Sequence, residues 1–133
     1  MPIDQSLVGR AFPPTAPYPV TEGKLREFAA ATGGEYAGGP APATFPIVLA
    51  FEAMNAFLDS EQVDLFRIVH GEQRFAYERP VQPGDVLTAT LTVDTLRQIG
   101  GADLIGTRSE ITDADGALVC TTRATLVHSG ALA

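Results

Sequence analysis

Few side chains in this sequence could carry out acid–base chemistry, and the two histidines are the first candidates. His70 precedes a run of strand-forming residues, and an imidazole titrates close to neutral pH, which suits a catalytic acid or base. The alternative is a structural histidine that forms a hydrogen bond at the end of a strand. His128 lies close to the end of the chain, and we expect it to be solvated.

Carboxylates and the single cysteine supply the remaining candidates. Glu52 is the only charged residue in an apolar run, so it either reaches solvent or marks the wall of a pocket, where a partly buried glutamate could act as acid or base. Asp85 follows Gly84, and we expect it to cap a turn. Cys120 lies among strand-forming residues and is expected to be a buried, inert thiol. The histidines lack metal-ligand spacing, so we expect no metal and no cofactor.

The charge and length of the chain exclude several classes of partner. A net charge of −7 disfavours nucleic acids and anionic membranes. Arg67, Arg74 and Arg79 could form a local basic patch for an acidic carrier protein, or they could simply be solvated. The 133 residues predict one domain, spanning 1–133. We find no membrane-spanning stretch and no signal pattern, so the cytoplasm is the expected location.

Two helices are predicted in the first half of the chain. Thr21 resembles an N-cap, and the apolar spacing after it indicates a short amphipathic helix that ends at Gly33 and Gly34. Residues 33–42 form a loop rich in small residues. Thr44 is the next predicted N-cap, for a helix that runs to about Leu58 and is apolar around most of its circumference. Such a helix must be buried on most sides.

The second half of the chain alternates in polarity with a period of two, which is typical of strands. We predict strands from about residue 63, then over 86–96, 104–112 and 118–128, with turns at 80–85, 100–101 and 113–116. Consecutive strands joined by short turns make an antiparallel sheet. One buried helix wrapped by such a sheet is the α+β hot-dog fold. Open sheet edges favour dimerisation.

Several segments resemble the MaoC-like dehydratases. The run from Gln73 to Val81, followed by Gly84-Asp85, is similar to the pattern Q-x-F-x-Y-x-R-P-V-x-x-G-D in that family. The segments 69–72, 41–45, 8–10 and 17–20 resemble the actinobacterial branch that includes the FAS1-like N-terminal dehydratase domains. The resemblance covers almost the whole chain.

The resemblance implies a reaction and a set of binding residues. The reaction is the reversible removal of water from an (R)-3-hydroxyacyl thioester on CoA or an acyl carrier protein. Catalytic members use an Asp and a His in a D-x-N-x-x-H motif, and backbone N–H groups at the start of the central helix bind the thioester carbonyl. The substrate-binding candidates in this chain are Thr44, Phe45, Phe51 and Gln73.

The catalytic motif of these relatives is missing here. Residues 33–44 contain no Asp, Asn or His, and Glu35 is their only carboxylate. The chain therefore resembles non-catalytic subunits that form a dimer with a catalytic hot-dog subunit. Two alternatives remain: an active hot-dog dehydratase or thioesterase with a relocated site at His70 or Glu52, and a non-enzymatic acyl or small-molecule binding protein.

The shortened loop carries a further expectation. Residues 33–42 should leave the mouth of the acyl pocket more open than in full-length relatives, because so short a loop cannot both bridge two helices and fold a lid across the groove. Its glycines would also make an ordered lid entropically costly. The alternative is that the loop folds inward and Tyr36 fills the space beside Phe45.

Overall fold

The computed structural model describes residues 5–129 and shows one antiparallel sheet with two helices. The helices are α1 (Glu22–Ala31) and α2 (Ile47–Ser60), and the strands are β1 (Tyr18–Pro19), β2 (Ile68–Tyr77), β3 (Val86–Ile99), β4 (Ala102–Thr112) and β5 (Leu118–Ser129). Their order in the sheet is β1-β3-β4-β5-β2. The predicted α+β hot-dog arrangement is confirmed. None of the described helices is both long and apolar enough to cross a membrane.

The short helix α1 is bounded by the residues that the sequence indicated. The Thr21 hydroxyl accepts a hydrogen bond from the backbone N–H of Lys24 at 3.2 Å, which satisfies a donor that the helix itself leaves free. At the other end, the Gly34 N–H donates to the carbonyl of Ala29, and Gly33 takes a positive φ of 83°. Both predicted boundaries are confirmed.

Helix α2 lies against the inner face of the sheet, over β3 and partly over β4. Its buried side chains form the centre of the core: Leu49, Ala50, Ala53, Met54, Phe57 and Leu58. The predicted N-cap at Thr44 is wrong. The helix is capped at Pro46 without a side-chain hydrogen bond, because residues 43–46 form a tighter turn in which Ile47 N–H bonds the Thr44 carbonyl.

The strand β2 forms one edge of the sheet, and none of its residues is buried. Among the strands within residues 5–129 it pairs with β5 alone, with a bulge between His70 and Glu72. Because α2 lies over β3 and β4, it leaves the inner face of β2 largely uncovered. Phe66, just before this strand, is 97% exposed, and Val69, within it, is 65% exposed.

An arginine clamp fixes the turn between β2 and β3. The Arg79 guanidinium donates to both oxygens of Asp85, at 2.8 and 3.2 Å, and to Asp113 in the turn between β4 and β5, at 3.3 Å. Asp85 also accepts the backbone N–H of Gln82 at 2.8 Å. Asp85 thus caps its turn, as expected, and the clamp ties two turns together.

Candidate functional site

A narrow groove runs between α2 and the inner face of the sheet. Ala50, Phe51 and Met54 form its helix side, and residues of β2, β4 and β5 form its sheet side. Phe51 is 44% exposed and stands at the rim. The free volume inside is about 10 Å³, which is room for about one water molecule. The groove is therefore nearly closed in this conformation.

Two of the predicted site residues meet at the β2 side of this groove. His70 Nε2 lies 2.9 Å from Gln73 Oε1, and both side chains line the groove. The bulge after His70 keeps both residues on the inner face although they are three positions apart. Gln73 thus orients the imidazole. With Phe51 on the helix side, three of the residues predicted from the sequence lie around the same groove.

The other three candidates lie elsewhere. Phe45 is 1% exposed, and its ring packs at 5.4 Å from the ring of Phe28 inside the core. Thr44 is exposed in the turn before α2, and Glu52 is exposed on the helix surface. Glu52 therefore reaches solvent, the first of the two alternatives. None of the three lines the groove.

The turn before α2 uses the backbone donors that the family resemblance assigns to a thioester carbonyl. The N–H groups of Phe45, Ile47 and Val48 donate to the carbonyls of Pro42, Thr44 and Phe45, respectively, at 2.9–3.1 Å. An oxyanion could bind there only if this turn opened, so the role predicted for the start of the helix stays a prediction.

Three hydroxyl side chains on the sheet side of the groove were not predicted as site residues. Thr107, Ser109 and Thr122 are only 5%, 3% and 2% exposed, yet they line the groove. Alternation with a period of two places Thr107 and Ser109 on the same face as Ile105 and Ile111, so the sequence contained a signal for them, although their polar type gave no reason to single them out. The observed register adds that Ser109 lies opposite Thr122 and Ile105 opposite Leu126, which brings the three hydroxyls together on the buried inner face.

The second histidine is buried, and the prediction that His128 is solvated is wrong. It is 6% exposed, and its Nδ1 lies 3.1 Å from Oδ2 of Asp103, which is 3% exposed. The two residues are directly opposite each other on β5 and β4. Since β5 continues to Ser129, His128 is held inside the sheet. Neither residue lines the groove, so we assign this pair a structural role.

A second, open depression borders the shortened loop. It has a volume of about 370 Å³ and is lined by Ala41, Ala43 and the end of β2. The Tyr77 hydroxyl donates to the Ala43 carbonyl and so attaches the loop to β2. Burial, with a smaller contribution from Cys120, raises the pKa of Tyr77 to about 12. Tyr36 packs partly against the core. The rings that contact Phe45 are those of Tyr18 and Phe28. Both alternatives for the loop, greater openness than in relatives and filling by Tyr36, stay predictions.

The three arginines proposed as a basic patch do not form one free surface. Arg79 is held in its clamp by Asp85 and Asp113. Arg74 instead stands directly opposite Arg123 on β5, and Arg123 stands opposite Arg108 on β4. This row of arginines is interleaved with carboxylates, such as Glu72 at 3.1 Å from Arg74. It offers no net positive charge.

The remaining chemical candidates are buried or dispersed. Cys120 is buried as expected, and burial raises the pKa of its thiol, which disfavours the reactive thiolate. Within residues 5–129, no three His, Cys, Asp or Glu side chains are grouped so that they could hold a metal ion.

Comparison with known proteins identifies the family. The family model for the FAS1-like dehydratase domain region matches residues 6–122. The chain belongs to this family. Proteins called UPF0336 from Saccharopolyspora erythraea and Streptomyces coelicolor are each 40% identical to it; the alignments cover 98% of this chain, and 94% and 98% of those proteins. These alignments span 146 and 147 positions, more than the 133 residues of this chain, so both relatives contain residues that it lacks.

Solved structures place the FAS1-like chain among dehydratases. It is similar to a chain of the C-terminally truncated HadBC (3R-hydroxyacyl-ACP dehydratase) complex from Mycobacterium tuberculosis, with a TM-score of 0.77 and 30% identity over 91% of this chain and 96% of that one. A MaoC-like dehydratase matches with a TM-score of 0.78 and 28% identity; 96% of this chain aligns with 43% of that one. The resemblance found in the sequence is therefore confirmed.

Proposed function

We propose that this chain is a subunit of an (R)-3-hydroxyacyl-thioester dehydratase, that it contributes acyl-binding surface, and that a partner hot-dog subunit supplies the catalytic acid and base. One observation carries the proposal: His70 is the only titratable side chain among the described residues that line the groove. Dehydration needs a base for the C2 proton and an acid for the departing hydroxyl. A single imidazole held by a neutral amide does not reproduce the Asp/His pair of catalytic relatives.

The uncovered edge of the sheet supports the need for a partner. The edge strand β2 offers unpaired backbone groups, and half-buried Phe75 and exposed Tyr77 lie on its inner face. A second hot-dog domain, paired along β2, would satisfy the backbone and cover these rings. The partner is either a second copy of this chain or a catalytic subunit. The similar chain in the HadBC complex is consistent with the second choice.

The test is enoyl-thioester hydration by the purified chain, followed by the loss of enoyl absorbance with crotonyl-CoA and a longer trans-2-enoyl-CoA. We expect negligible turnover from the chain alone, because general acid–base catalysis typically contributes about 10²- to 10⁴-fold. We expect turnover when the chain is co-expressed with a hot-dog protein that carries D-x-N-x-x-H. Turnover of about 1 s⁻¹ or more by the chain alone would refute the proposal.

A relocated active site is the second candidate, because His70 lies in the groove in a fixed orientation. If the chain alone is active, the variants His70→Ala and Glu52→Gln distinguish the two residues. His70→Ala should abolish activity, and Glu52→Gln should leave it unchanged, since Glu52 is exposed outside the groove.

Light scattering tests the assembly. We expect a dimer of about twice 14.0 kDa for the chain at micromolar concentration, or a heterodimer after co-expression. A stable monomer under both conditions would contradict the role proposed for β2. Acyl-CoA binding without turnover in any combination would favour the non-enzymatic binding protein.

A further inference from the structure

We propose that the groove selects acyl chains that carry an additional oxygen, a hydroxyl or a carbonyl beyond C3, over saturated chains of equal length. The proposal rests on the acyl-binding function proposed above and specifies its substrate class. It starts from the three buried hydroxyls of Thr107, Ser109 and Thr122.

The hydroxyls form a compact polar floor. Ser109 is directly opposite Thr122 across β4 and β5, and Thr107 lies two residues before Ser109 on the same face. Gln73 adjoins this floor, since it pairs with Ala124, which in turn pairs with Thr107. The roof is apolar and consists of Ala50, Phe51 and Met54. The groove therefore has one polar and one apolar wall.

No hydrogen bond of the described residues engages the three hydroxyls, and their oxygens are not among the fully enclosed polar atoms without partners, so they face the space inside the groove. Some other hydroxyls have partners within the protein: Thr88 bonds Thr112 at 3.0 Å, and the Ser60 hydroxyl donates to the Phe57 carbonyl at 2.9 Å. A hydroxyl that loses contact with water and gains no other partner is costly, so water or a ligand inside the groove should satisfy these three. The free space admits about one water molecule, fewer than three hydroxyls and the nearby Gln73 amide can engage.

A saturated acyl chain in this groove would displace the water and leave the hydroxyls without partners. A chain with one oxygen at this depth would replace the water's hydrogen bonds and keep its methylenes against the apolar roof. Phe51, which is 44% exposed at the rim, can turn outward to admit the chain with little loss of packing. The three hydroxyls thus disfavour binding of a saturated acyl chain and favour binding of a chain that carries the additional oxygen.

The experiment compares three ligands by calorimetric titration of the full chain. They are octanoyl-CoA and two analogues that each carry one hydroxyl, in the middle of the acyl chain or at its end. We expect at least one analogue to bind about 3- to 10-fold more tightly than octanoyl-CoA, the ratio that a neutral hydrogen bond provides.

Variants assign the preference to the hydroxyls. In the triple variant Thr107→Val, Ser109→Ala, Thr122→Val, octanoyl-CoA should bind as tightly as the analogues or more tightly. Thr121→Val, on the outer face of β5, is the matched control and should keep the wild-type ratio. If the triple variant does not fold, Ser109→Ala alone should reduce the ratio.

The outcomes separate this inference from the function on which it rests. Binding of all three ligands without preference, or a preference that survives in the triple variant, would overturn the inference and leave acyl binding intact. If none of the three ligands binds, both the acyl-binding function and the selectivity are overturned.

Discussion

Replacing Arg79 by methionine should destabilise the fold, because Arg79 joins two turns through three charge-assisted hydrogen bonds. Its main partner, Asp85, has a side chain that is only 17% exposed, so the variant would leave a partly buried carboxylate with just the Gln82 N–H. Hydrogen bonds to charged groups in such positions contribute about 1.5–3 kcal/mol. Since the Arg79 side chain is 37% exposed, solvent screening reduces this figure, and we expect a loss of about 1–2 kcal/mol at pH 7.

The loss should depend on pH in a defined direction. Burial opposes ionisation of Asp85, but hydrogen bonds from Arg79 and the Gln82 N–H outweigh it, so the pKa of Asp85 in the folded protein lies below its ordinary value. The stabilisation is fully present above the unfolded pKa of about 4, and it disappears as pH falls through the folded pKa. The difference between wild type and variant should therefore shrink progressively below about pH 4.

Urea denaturation at a fixed protein concentration measures both effects, and a fixed concentration is needed because dimerisation would contribute to stability. The control is Arg74→Met on the same strand, where the side chain is 71% exposed and paired with exposed Glu72. That variant should cost at most about 0.5 kcal/mol. Equal losses for the two variants, or an Arg79→Met loss that persists at about pH 2.5, would refute this reasoning.

Other substitutions test the core, the backbone and the thiol. Leu49→Ala should cost about 2–5 kcal/mol in urea denaturation, because Leu49 is 0% exposed, whereas exposed Glu52→Ala should change stability by less than about 0.5 kcal/mol. Gly84→Ala should destabilise the fold by about 1 kcal/mol, because Gly84 has a φ of 95°. Gly23→Ala inside α1 should instead stabilise the fold by roughly 0.5–1 kcal/mol. The two variants should therefore shift the thermal unfolding midpoint in opposite directions. Cys120 should react with a disulfide reagent far more slowly in the native protein than in urea, since it is buried and its thiol pKa is raised; equal rates would show that the strand opens readily.

Local patterns in the sequence predicted the elements well, because each rests on a local physical cause. The cap at Thr21, the glycine end of α1 and the period-two strands all follow from neighbouring residues. The start of α2 did not follow from them. Thr44 has the right type for a cap, but the backbone turn before Pro46 provides the hydrogen bonds instead. Propensity ranks the cap residues without showing which turn the preceding loop adopts.

The candidate site was harder to predict because it depends on register. Alternation shows that residues of β4 share a face, but a shift of one residue would reverse which face is buried. Thr107 and Ser109 share a face with Ile105 and Ile111, but the alternation of one strand does not show which residues of β5 lie beside them. His128 was expected to be solvated because it lies near the end of the chain, and it is buried. His70 was found because an imidazole suits acid–base chemistry, and Gln73 was found because the family motif marks its strand. No feature of single residues indicated that Phe45 would point into the core.

The position of α2 explains why a groove in one chain could serve a reaction completed by two. The helix covers β3 and part of β4, while β5 and β2 extend the inner face beyond it. The groove lies at this boundary, so one wall belongs to the core and the other ends at an open sheet edge. A subunit that pairs along β2 would bring its own helix and loop beside His70 and Gln73. Under the proposed function, both chains would line the groove that binds the acyl chain. Only one of the two would then need to keep the acid–base pair. Under the same proposal, a chain without that pair would still be required for its hydroxyl floor and its β2 edge.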